Sequence, residues 1–205
     1  MERLWIRSSR LIQALFIALL ALFLRGYLAT NGPIEYDEPV YVDNAIFYST
    51  AIRNLQWELA LNYELAIEHP VFNKLLYSVA LLPFKPIVNG TSMPFDTPLN
   101  LVPNYYKLLA MRSVSVAAGS AAVFLLSLIN PLAGLLLAVH TFAVKYSSVI
   151  YLEAVPLLAS LGALLAAKKA FNEAPKGRSR PLVGWLILSA LLVGITIASK
   201  YIYAV

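Results

Sequence analysis

Long apolar runs alternate with short polar breaks along this chain. Residues 9–29, 108–129, 131–148, 151–168 and 182–203 meet or approach the roughly 20 apolar residues that carry a helix across a bilayer core. Asn130-Pro131 separates the second run from the third, and the third and fourth are divided only by polar positions near Lys145–Ser148 and by Glu153. The run Leu75–Leu82 lies between Lys74 and Lys85 and is closed by Pro83, so Pro70–Phe84 predicts a helix too short to cross, lying in the interface. Tyr41–Asn54 and Trp57–Glu68 are helix-compatible, amphipathic and rich in interfacial aromatics, and are expected to lie flat on the membrane. Residues 86–104 carry Pro86, Pro94, Pro98 and Pro103 and predict an extended connection.

Composition agrees with this pattern. The 205 residues are 60% hydrophobic and 13% charged, against ~45–50% and ~25% in a soluble domain. The expectation is an all-α integral membrane protein of about five transmembrane helices, forming a single module over residues 1–205. Leu11–Leu24 follows a basic start as a signal peptide would, but Arg25 comes next without a clear A-x-A site, so the segment reads as an uncleaved first span. The absence of cysteine removes disulfides and thiolate metal sites.

Charge sets the topology. Arg3, Arg7 and Arg10 precede the first span, while Lys168, Lys169, Lys176, Arg178 and Arg180 lie between the fourth and fifth. Both clusters belong on the cytoplasmic side, with an even number of spans between them. The net charge of +5 therefore reports membrane orientation and gives no argument for nucleic acid. With the N-terminus cytoplasmic, residues 28–106 form one large extracytoplasmic loop, which holds eight of the 11 acidic residues. Asp37-Glu38, His69 with Lys74, Arg112, Glu153 and Lys200 then converge on the outer face. Asn89-Gly90-Thr91 is a sequon on that side.

Six motifs follow in order: Phe23-Leu24-Arg25-Gly26-Tyr27, Tyr36-Asp37-Glu38-Pro39, Glu68-His69-Pro70 with Lys74, Met111-Arg112-Ser113 with Gly119, Tyr151-Leu152-Glu153-Ala154-Val155-Pro156, and Ser199-Lys200-Tyr201. In this order the chain resembles the N-terminal membrane module of the GT-C glycosyltransferases, above all the dolichyl-phosphate-mannose protein mannosyltransferases and the aminoarabinose lipid A transferases. It departs from them at Val71, where the family usually has a second proline, and in lacking the family's further spans.

The resemblance implies transfer of a sugar from a polyprenyl or dolichyl phosphate to an acceptor protein or lipid, with inversion. It makes Asp37 the base, with Glu38 orienting the acceptor or holding a cation; the bland alternative is that both acids only favour the start of a loop helix. Lys74, Arg112 and Lys200 would meet the donor phosphate, against snorkelling for each. Arg112 lies one turn inside an apolar span, so it demands a partner. Arg25 is open between phosphate contact and snorkelling. Glu68 and His69 serve as supporting residues, and one His with one Glu is not a metal site. Glu153, another supporting acid, is expected to pair with Lys145 or Arg112. His140 is expected to be packed or hydrogen-bonded. A divalent cation is the one cofactor the reading leaves room for. The competing expectation is a non-catalytic membrane subunit that binds lipid-phosphate sugar beside a partner chain supplying the missing spans. The compartment implied is a prokaryotic, even archaeal, plasma membrane.

Overall fold

The computed structural model describes residues 2–61, 71–86, 98, 104–176 and 179–200. The chain is an all-α integral membrane protein that crosses the bilayer several times. The elements are α1 (Glu2–Asn31), α2 (Glu38–Arg53), α3 (Trp57–Leu61), α4 (Val71–Leu81), α5 (Tyr105–Ile129), α6 (Pro131–Val139), α7 (Thr141–Tyr146), α8 (Ala154–Glu173) and α9 (Ser179–Ser199), with no strand among the described residues. Four helical stretches, Ser9–Asn31, Tyr105–Ile129, Ala154–Glu173 and Ser179–Ser199, are long and apolar enough to span a membrane.

The third expected span differs from the prediction. Residues 131–148 form two short helices broken at His140, whose backbone is extended. The two pieces still run antiparallel to α5 along its length. Gly134 lies against Ser127, Ala138 clusters with Val123 and Ala21, and Ser147 presses on Gly119. At Gly134 and Gly119 an added Cβ would come within 1.9 Å and 2.5 Å of a serine side chain, so glycine is what admits this close approach. Asn130 opens α6, its Oδ1 accepting from the amides of Leu132 and Ala133 at 3.0 and 3.2 Å, with Pro131 at the first helical position.

α8 and α9 pair antiparallel. Ser189 donates to the Ala163 carbonyl at 3.0 Å, and Ser160 meets Thr196 at 3.4 Å. Leu192 fills the space beside Gly162. α5 is the central helix, with 56% of its span buried against 11% for α9. The molecule thus has two ends. Arg10 on α1 and Lys169 on α8 face one cleft at the basic end, while Glu38, Arg112, Glu153 and Lys200 gather at the other.

At that second end α2 and α4 pack on each other and on the start of α5. The buried face of α2 includes Glu38, Tyr41, Val42, Ala45 and Tyr48, at helical spacing. Tyr41, Val42 and Ala45 join Tyr77 and Leu81 of α4 with Leu108, Met111, Ile150 and Leu152 in one apolar core. The short Val71–Leu81 helix matches the non-crossing helix expected at 70–84. Glu68, His69 and the Asn89 sequon lie outside the described residues, as does the later part of the Trp57–Glu68 helix.

Candidate functional site

Three arginines close three helix ends. A helix leaves its last four carbonyls without intrahelical partners, and a cation there also meets the negative end of the helix dipole. Arg112 reaches the end of α1, donating through Nη1 to the carbonyls of Ala29 (2.9 Å) and Gly32 (3.0 Å) and through Nη2 to Pro33 (2.7 Å). Arg25 donates to the carbonyls of Leu137 (3.2 Å) and Ala138 (3.1 Å), which the break at His140 leaves open, and to Ser147 Oγ at 2.7 Å. Arg53 holds the carbonyls of Leu81, Leu82 and Phe84 beyond α4. Arg25 is 1% exposed, so neither alternative drawn from sequence, phosphate contact or snorkelling, describes it.

Arg112 has the partner its depth demands. Its Nε donates to Glu38 Oε1 at 2.8 Å and its Nη2 to Oε2 at 2.6 Å, a two-point pair with both side chains fully buried. All five guanidinium N–H groups are thereby engaged within the protein. Glu38 is equally committed. Oε1 also accepts from the amide of Ile150 (2.8 Å) and Oε2 from that of Glu35 (2.9 Å). One ion pair thus fastens the end of α1, the start of α2, α5 and the loop before α8. The site roles expected from sequence, acceptor-orienting for Glu38 and phosphate-binding for Arg112, do not fit groups so closed and so fully bonded.

Asp37 stands in a different state. It occupies the residue before α2, yet its side chain makes no capping bond. Its Oδ2 instead accepts from the hydroxyl of Tyr151. Among the described residues no donor reaches Oδ1, and the side chain is half-buried. Burial pushes the Tyr151 phenol well above its ordinary value, and the bond to Asp37 pushes it further, so Tyr151 remains a donor to the carboxylate. Tyr151 is fixed in turn, because its carbonyl accepts from the Tyr77 hydroxyl, which also meets Ser115 Oγ at 2.8 Å, and its ring meets Tyr41 edge-on at 5.6 Å.

The remaining charges ring this point. Glu153 pairs with Lys200, not with Lys145 or Arg112 as expected, and both side chains keep about a third of their surface. Lys145 pairs with Glu35 at 3.0 Å, two residues from Asp37, and keeps 40% of its surface. Lys74 is buried in α4 and has a partner within the chain. Sequence reasoning gave Tyr151 no role, although it stands two residues before Glu153 in a quoted motif. It also passed over the buried Lys107, whose Nζ lies 5.7 Å from the Tyr106 ring centre. His140 is exposed and caps α7, its Nδ1 accepting from the Ala143 amide at 3.4 Å.

For a divalent cation the oxygens open at this end are few. Glu38 is filled by hydrogen bonds, while Glu153 Oε2 and Asn73 Oδ1 are buried without a donor among the described residues. No group of three His, Cys, Asp or Glu side chains forms among those residues. The donor set among the described residues does not make a cation site. Comparison of the chain with protein-family models, with curated proteins and with solved structures gives no match.

Proposed function

We propose that this end of the bundle is the site of a GT-C-type glycosyltransferase and that Asp37 is its base. The observation that carries the reading is the separation of the two neighbouring acids. Glu38 is closed inside the scaffold, whereas Asp37 is half-exposed, free of helix capping and aimed by one phenol, with Oδ1 open among the described residues. A base must lie within hydrogen-bond reach of the proton it removes and must be held there.

In the reaction proposed, Oδ1 of Asp37 takes the proton of an acceptor hydroxyl. The acceptor oxygen forms the new bond to the sugar's anomeric carbon, and the bond from that carbon to the phosphate oxygen breaks. The bonding pair leaves with the lipid phosphate, whose growing charge needs nearby cations. Lys200 and Lys145, two partly exposed cations of this end, take that role, each exchanging its carboxylate partner for phosphate. An apolar groove of about 390 Å³ between α1 and α7, with Leu24, Leu28, Val139 and Val144 in its walls, ends at Glu35 and Lys145 and suits an isoprenoid chain. The basic clusters at the other end favour an extracytoplasmic position for this one, and the compartment that goes with the proposed reaction is a prokaryotic plasma membrane.

The test is incubation of wild-type proteoliposomes with a radiolabelled polyprenyl-phosphate sugar and a hydroxyl acceptor. Labelled acceptor, or slow release of free sugar without one, is the expected result. Saturable donor binding with no release would replace this reading by the non-catalytic one, in which a partner chain supplies the chemistry. The closure of Arg112 is the observation in that second reading's favour, since it withdraws one cation from the phosphate.

A further inference from the structure

At the opposite end of the bundle a cleft of about 650 Å³ opens between α1, α5, α8 and α9. It has no part in the glycosyl-transfer reading. Its walls are apolar, with Leu125, Leu165 and Leu188 among the lining residues, while Arg10 and Lys169 line it from two different helices. Both cations are exposed, and neither makes an ion pair or hydrogen bond among the described residues. Glu173, the acid one turn beyond Lys169, has an interaction of its own. Trp185 completes the lining, and an indole is the side chain favoured where headgroups give way to hydrocarbon.

We propose that this cleft binds an anionic phospholipid, with the headgroup phosphate between Arg10 and Lys169 and one acyl chain along the leucine walls. The argument is complementarity. Two cations without an ion-pair partner among the described residues converge from separate helices above an apolar cavity at the basic end of the spanning helices. The ligand uniting one or two negative charges with a long apolar chain at this depth is the membrane's own acidic lipid. Basic pockets between transmembrane helices take such headgroups, and each cation strengthens the attraction about fivefold. A zwitterionic lipid presents its own cation to the same pair and gains far less.

The experiment uses the intact chain carrying Trp5→Phe and Trp57→Phe, which leaves Trp185 as its one indole. It is reconstituted in phosphatidylcholine vesicles and titrated with phosphatidylglycerol brominated in its tails, or with phosphatidylcholine brominated likewise. Brominated phosphatidylglycerol should quench Trp185 at a mole fraction roughly 20-fold lower. Arg10→Gln and Lys169→Gln should each reduce that preference about fivefold, and the pair should abolish it. Arg10→Lys with Lys169→Arg should retain it, as should Lys168→Gln on the neighbouring face. Equal quenching by the two lipids would overturn the proposal, as would a preference that survives both neutralisations. If the doubly neutralised chain fails to insert, the two single variants decide by the same criterion.

Discussion

Replacing Arg112 by leucine would leave the Glu38 carboxylate fully buried without its counter-charge. Removing one partner of such a pair costs about 3–5 kcal/mol, so Arg112→Leu should lower the melting temperature in detergent sharply. Adding Glu38→Leu should restore part of the loss, but not all, because the carbonyls of Ala29, Gly32 and Pro33 would still lack a donor. Wild-type melting of the single variant would contradict this role. The two buried phenols give a second test. Burial raises both Tyr77 and Tyr151 above their ordinary value of 10. The unfolded chain therefore releases these protons first. Stability should be complete below about pH 10 and fall as pH rises beyond it. Melting temperatures between pH 8 and 11 should show that decline, and Tyr151→Phe should flatten it; an unchanged slope in the variant would count against the account. The sequence showed that Arg112 needed a partner, but it did not name Glu38, because the two lie 74 positions apart and each of several acids met the same requirement.

The most instructive element is the break between α6 and α7. Hydropathy runs on through 131–148 with His140 as its one imidazole, and no proline or glycine stands at the break. The interruption is legible only once α1 is beside it, because Arg25 supplies the donors that make open carbonyls at Leu137 and Ala138 tolerable away from water. Tertiary structure here overrides a local pattern that reads as one helix. The ends that do carry local chemistry were legible. Asn130-Pro131 marks a cap and a first-turn proline, and the short apolar run at Leu75–Leu82 marks a helix that does not cross. Gly119 follows from the break, since the position faces both Ser147 and Arg25. Gly119→Ala should destabilise the bundle by roughly 1–3 kcal/mol through overpacking, visible as a lower melting temperature, whereas Gly184→Ala, where the added methyl meets open space, should not. Equal stability of the two variants would show that α5 and the loop after α7 are not in tight contact.

At the scale of the whole molecule, the alternation of apolar runs identified an all-α membrane protein, and Arg10 and Lys169, one from each basic segment, line the same cleft at one end. Which side of the membrane that end faces is the proposed orientation, and the chain is well suited to testing it because it contains no cysteine. Tyr36 and Phe171 are 77% and 78% exposed near opposite ends. In intact cells a membrane-impermeant maleimide should label Tyr36→Cys and should label Phe171→Cys only after permeabilisation. The reverse pattern would place the Asp37 site in the cytoplasm and require a donor that had not been flipped across the bilayer. In the proposed reading the acidic end keeps scaffold and chemistry separate: the Glu38–Arg112 pair fastens four segments, and Asp37 projects from the frame they make. The most direct test of that claim is the rate of sugar transfer by Asp37→Asn relative to wild type, in proteoliposomes matched for insertion and melting temperature. A fall of about 10²–10⁴-fold with donor binding preserved is the predicted result; transfer at the wild-type rate would remove Asp37 from the chemistry.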